Sequence, residues 1–205
     1  MEPPLTSYGV NRMRRSKLSY SETLAGLRAT GLLVGVLGLA GANLPATAAS
    51  NADAIARGAY LVAGFGCADC HTPLNMGRSG PEPDLSRNLS CHPADVKLSP
   101  PPKADASWAW FGAATNTAYA GPWGISYASN LTPDQDTGMG NWKEDDFVQA
   151  LKTGKHVGVA RPIMPPMPWK ALSHLTEDDL RAMFQYLRTV PPVHNRVPDY
   201  QPPAP

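Results

Sequence analysis

The sequence predicts an all-α domain, with three short helices joined by long Pro/Gly-rich loops. Three windows carry apolar residues at helical spacing. Nothing between them alternates convincingly as a sheet strand would. The 22 Pro and 18 Gly among 205 residues interrupt every other stretch.

Composition excludes several classes of function. Charged residues are 17% of the chain and the formal net charge is +1, so there is no basic footprint for nucleic acid. A mean hydropathy of -0.27 argues against a multi-span membrane protein. Three cysteines are too few for a disulfide scaffold, and the odd count leaves one over.

Residues 1–49 read as an export signal. Arg12, Arg14, Arg15 and Lys17 form a positive cluster. Ala29 to Ala42 is almost wholly apolar and only fourteen residues long, short of the ~20 that span a bilayer. Ala46-Thr47-Ala48 then supplies a small-residue cleavage site. The expected mature domain covers 50–198, followed by a disordered tail over 199–205.

The first helix is expected from about Asp53 to Ala63, with Ile55, Ala59 and Val62 on one face. Gly58 leaves room for a close crossing, expected against the last helix near Phe184. A middle helix is expected over about 144–153. Glu144, Asp145 and Asp146 suit its N-terminal dipole, and Gly154 suits its end. The last helix has the clearest signals. Thr176 is a good N-cap with Asp179 three residues on, Leu175 and Leu180 make a hydrophobic staple, and Val190-Pro191-Pro192 stops it. Leu180, Met183, Phe184 and Leu187 share one face. Three such helices build only a small core.

Cys67-Ala68-Asp69-Cys70-His71 carries the chemistry. C-x-x-C-H is the c-type haem attachment signature. Two thiols at this spacing can form thioethers with the two vinyl groups on one haem edge. The next residue, His71, then lies under the iron. A thioredoxin-like pair would need a βαβ context. A zinc site would need a second ligand pair, and Cys91-His92 is a poor one. A Cys67–Cys70 disulfide would leave His71 unexplained. The haem would supply the hydrophobic centre that three short helices lack.

A second axial ligand is sought in the run from Pro162 to Pro168, where Met164 and Met167 both offer a thioether. Met139, Met76, His92, His156 and His174 are weaker candidates. Asn130, Trp142 and Arg161 could meet a haem propionate or be structural. Trp108, Trp110, Phe111 and Trp123 suit a haem-edge cover, a docking surface or a satellite core. Cys91 is expected to be a free thiol.

Arg57-Gly58-Ala59-Tyr60-Leu61-Val62 with Gly66 to Pro73 resembles the N-terminal part of a bacterial class I-type cytochrome c domain. Asn130-Leu131-Thr132-Pro133-Asp134, with Thr137-Gly138-Met139-Gly140 and Trp142, resembles the middle of the cytochrome c domains that serve periplasmic dehydrogenases. Pro165-Pro166-Met167-Pro168-Trp169 and Leu175 to Leu180 resemble their C-terminal part. The resemblance covers roughly residues 53–197. It implies a cytochrome c fold around one covalent haem c, with iron ligated by His71 and Met167 and tethered by Cys67 and Cys70. Two positions depart from the pattern: Cys91 stands where a Gly is expected, and Lys143 where a Ser or Thr cap is usual.

The expected function is a periplasmic single-electron carrier, not an enzyme in itself, though it could be a subunit of a dehydrogenase complex. Its partners would be a dehydrogenase donor and a cytochrome or oxidase acceptor. Nucleic acid is not among them, and peripheral membrane association stays open. The alternative is a haem enzyme such as a peroxidase with a labile distal ligand.

Overall fold

A computed structural model describes residues 50–203 apart from 104–106 and 159–160. The export signal expected over 1–49 lies outside the described residues.

Helix α1 spans Asn51–Gly64, α2 Cys67–His71, α3 Glu144–Thr153, α4 Trp169–Leu172 and α5 Glu177–Leu187. Ser50 starts α1 two residues earlier than expected. Its Oγ accepts the Asp53 N–H at 3.2 Å, and the Asp53 carboxylate accepts the Ser50 N–H at 3.3 Å. At α3, Lys143 has no acceptor to offer, so only the carboxylate half of a capping box forms: Asp146 accepts the Lys143 N–H at 2.9 Å. At α5, Thr176 Oγ1 accepts the Asp179 N–H at 3.1 Å. The Asp179 carboxylate turns instead to Arg57, at 2.8 Å, and ties α5 to α1.

Helices α1 and α5 cross at Gly58. A Cβ there would sit 1.9 Å from the Ala182 carbonyl oxygen and 2.8 Å from Tyr186 Cβ. The expected partner, Phe184, lies on another face of α5 and meets Phe147 of α3, with ring centroids 5.7 Å apart. Arg181 of α5 also holds the start of α3, through Glu144 at 3.0 Å and Asp145 at 2.7 Å. The core joins Leu61 and Val62 of α1, Phe147, Val148 and Leu151 of α3, and Leu180, Met183, Phe184 and Leu187 of α5. Leu89, Met139, Leu172 and Val190 complete it.

The all-α expectation is wrong. Two small antiparallel sheets are present. One is the hairpin of β1 (Leu74–Gly77) and β2 (Gly80–Pro83). The other has the order β3 (Phe111–Gly112), β4 (Ala118–Gly121), β5 (Gly124–Tyr127). No strand exceeds four residues, so alternation has no length in which to show. Both two-residue hairpin loops, Arg78-Ser79 and Pro122-Trp123, lack the Asn-Gly type of signal.

The segment expected as a disordered tail is instead paired at its start. Gln201 exchanges backbone hydrogen bonds with Ile125 of β5, at 2.8 and 3.0 Å. The Tyr200 hydroxyl donates to the Trp123 carbonyl.

Candidate functional site

Gly66 takes a left-handed conformation, φ 64°, and reverses the chain between α1 and α2. The single turn of α2 then sets Cys67, Cys70 and His71 together. Both thiols are half-buried and unpaired. Burial pushes the Cys67 thiol up to about 11, so it is protonated near neutral pH.

His71 is buried. Its Nδ1 lies 2.9 Å from the Ser129 carbonyl oxygen. A carbonyl only accepts, so the proton is on Nδ1 and Nε2 carries the lone pair. Burial lowers the imidazole's proton affinity more than the Ser129 bond raises it, which keeps the ring neutral. The ring is thus held in the tautomer a metal ligand needs.

Loops on several sides hold this turn. Cys91 N–H donates to the His71 carbonyl at 2.9 Å. Thr72 Oγ1 donates to Asn88 Oδ1 at 3.0 Å and accepts the Leu89 N–H at 3.0 Å. Asn116, itself at φ 53°, donates to the Asp69 carbonyl at 2.7 Å. An open cleft of about 450 Å³ lies against the Ala68, Asp69 and Thr72 side of the turn. It does not involve the thiols or His71.

Met167 sits on the loop before α4, half-buried against the core, and Cys67 and Trp142 pack on that same core. The second sheet and the end of α3 anchor this loop. Ser126 of β5 donates to the Pro165 carbonyl at 2.6 Å, and the Ile163 N–H donates to the Gly154 carbonyl at the end of α3 at 2.8 Å. Trp169 lies over Gly154, whose φ is 68°. Met167 also lines a shallow cleft of about 220 Å³ with Ile163, Pro166 and Trp169.

The weaker candidates divide between buried structural positions and exposed ones. His92 is buried, with Nε2 3.1 Å from the Val96 carbonyl and Nδ1 3.0 Å from Thr117 Oγ1. His174 and Arg161 are exposed. Met139 belongs to the core, and Met76 projects into solvent from the first hairpin. Asn130 spends its amide on loop carbonyls and on Thr132. Trp110 meets Tyr119 edge-on at 5.5 Å, and Trp108 stacks on Phe111 at 5.7 Å.

The donor set fits a covalently held haem better than a bare metal ion. Among the described residues no three His, Cys, Asp or Glu side chains converge as an ion would need. A neutral imidazole fixed through Nδ1, two free thiols on the same turn and a core-packed thioether are the groups a tethered haem requires.

No family model matches the sequence. It is 30% identical to the fructose dehydrogenase cytochrome subunit of Gluconobacter japonicus, over 83% of this chain and 29% of that protein. It is 32% identical to the cytochrome c subunit of the quinone-type alcohol dehydrogenase of Gluconobacter oxydans, over 68% of this chain and 24% of that one. The chain is a homologue of dehydrogenase cytochrome c subunits. The gluconate 2-dehydrogenase cytochrome c subunit of Pantoea cypripedii is similar at 31% identity, over 70% of this chain and 27% of that subunit. The chain therefore spans less than a third of the length of these curated relatives.

Two site residues escaped the sequence reading. Ser129 acts through its carbonyl, which every residue has, so no side-chain signal exists. For Cys91 the sequence offers a free thiol, half of a poor zinc pair and a Cys in place of Gly, but no link to His71. The structure puts Cys91 at φ 74°, the left-handed region that favours glycine.

Proposed function

We propose that this chain is a periplasmic single-electron carrier, with one haem c attached through Cys67 and Cys70 and ligated by His71 and Met167. It takes electrons from a dehydrogenase and passes them to a cytochrome or oxidase acceptor. A haem bound in this way supplies a one-electron iron couple. Cys67 and Cys70 tether it on one helical turn. His71 offers Nε2 because Nδ1 is held by Ser129. Met167 offers a thioether from a loop pinned by Ser126 and Gly154, and Met ligation raises the potential relative to a second His. Ligands so held by their own hydrogen-bonded surroundings would reorganise little on a one-electron change. The dehydrogenase donor rests on the relatives, which are cytochrome subunits of fructose, alcohol and gluconate dehydrogenases. The periplasmic location rests on the export signal read over 1–49.

The observation that carries the proposal is the His71 Nδ1 bond to Ser129 beside two unpaired thiols. The test is expression in a host competent for cytochrome maturation. The expected product is red, keeps its haem through denaturation, and shows a weak sulfur-to-iron absorption band at the red end when oxidised. Met167→Ala abolishes that band and lowers the potential, whereas Met164→Ala does neither. A colourless product refutes the attachment, and a swapped pair of outcomes refutes Met167.

A further inference from the structure

Cys91 is fully buried, and electron transfer through His71 and Met167 gives it no part. Its surroundings are nonetheless specific to the iron ligand. Its backbone N–H donates to the His71 carbonyl at 2.9 Å. Its Sγ lies 3.0 Å from His71 Nδ1 and meets that N–H only as a weak sulfur acceptor beside the stronger Ser129 carbonyl. Its S–H donates to the Ser129 carbonyl, the same oxygen that His71 Nδ1 reaches at 2.9 Å. The Leu89 carbonyl, at 3.7 Å, is a more distant acceptor. The backbone at this position would be better served by glycine, since φ is 74°. A thiol is held here against that preference, and its head group faces the imidazole.

We propose that Cys91 is a positioning residue for His71: its thiol shares the Ser129 carbonyl with Nδ1–H and so sets how strongly the imidazole donates to the iron. The inference rests on the haem reading above. A hydrogen bond from Nδ1–H to a carbonyl makes the imidazole a more basic ligand. A more basic ligand favours the oxidised metal. One carbonyl oxygen has two lone pairs and can serve two donors, but the second donor draws on the same charge and weakens the first bond. Cys91 therefore makes His71 a weaker donor and raises the midpoint potential. The lever is hydrogen bonding behind the axial ligand, one of the few a protein has over a haem's potential.

Three variants separate the thiol from the backbone: Cys91→Gly, Cys91→Ala and Cys91→Ser. Glycine suits the left-handed φ and keeps a folded comparison available whatever alanine does. The haem-loaded proteins are titrated spectroelectrochemically, with the sulfur-to-iron band and the thermal midpoint recorded beside the potential. Glycine and alanine each lower the ratio of reduced to oxidised protein at a fixed potential by about fivefold, the worth of roughly one hydrogen bond. They do so equally, although their thermal midpoints differ. Serine keeps a donor towards Ser129, and its ratio does not fall. An unchanged potential in Cys91→Gly, with haem and sulfur band intact, overturns the proposal and leaves the electron-carrier reading standing. So does a fall in only one of Gly and Ala, which would trace the effect to the backbone. A fall in serine equal to that in alanine also overturns it. A wild-type protein without haem refutes the carrier reading itself, and this inference goes with it.

Discussion

Asn130 shows how much one buried amide can hold. Its Nδ2 donates to the Val193 carbonyl at 2.9 Å, while its Oδ1 accepts from the Thr132 N–H at 3.0 Å and the Thr132 hydroxyl at 2.8 Å. The loop that carries Ser129 is thereby fastened to the segment after α5. Asn130→Ala leaves the buried Thr132 N–H without its partner, while the Thr132 hydroxyl still bridges to Val193 at 3.3 and 3.1 Å, and the expected loss is about 1–3 kcal/mol in a denaturant titration. A loss within a few tenths would mean the two segments are held by something else. Every hydrogen bond Asn130 makes here goes to its own loop or to the segment after α5, in keeping with the loop-fixing role among those the sequence leaves open. The grouping of the two thiols and His71 on one turn was legible because it lies in residue type and spacing. Ser129 and Ser126 were not, because they act through a carbonyl in one case and across 39 residues of separation in the other.

At the scale of elements, the three longer helices were readable, whereas the single turns α2 and α4 and the strands were not. Caps and apolar periodicity are local signals, and α3 and α5 begin and end where those signals fall. Strands of two to four residues, joined by loops without turn signatures, are created by pairing, which is not local. Capping was also only half readable at α5, since Asp179 left its own helix end for Arg57. The crossing of α1 and α5 makes a sharp prediction. Gly58→Ala places a Cβ 1.9 Å from the Ala182 carbonyl oxygen, so the helices must separate, at a cost of about 1–3 kcal/mol. At Gly64 an added Cβ meets nothing within 4 Å, and Gly64→Ala is neutral or stabilising by up to about 1 kcal/mol. Thermal melts of the two variants check this. Similar melting points for both would show that the crossing tolerates a side chain.

At the scale of the whole molecule, acid acts in two stages. Burial holds His92 below its ordinary value, with the Val96 carbonyl and Asp95 pulling more weakly the other way. Its unfolded value is about 6.5, so the stability it contributes is complete above that pH and is lost as pH falls towards the folded value. His156, also lowered by burial, has the same sign. Hydrogen bonds from Ser86, Thr137 and Arg57 hold Asp84, Asp134 and Asp179 below the usual carboxylate range. Their contribution is present above about pH 4 and declines only below it. Denaturant midpoints measured from pH 7 to 3 should fall first below about 6.5, then again below about 4. His92→Gln shrinks the first decline and leaves the second. A wild-type profile flat from pH 7 to 5 would contradict the buried, neutral His92.

The pairing of Gln201 with Ile125 has a consequence for life in a crowded compartment. A bare strand margin invites foreign polypeptides to add themselves on, rung by rung, and so seeds aggregation. Here Gln201 bridges to Ile125 at the margin of β5, and the opposite margin, β3, is only two residues long. The small sheet that braces the methionine loop is thus guarded on one flank and too short to template on the other.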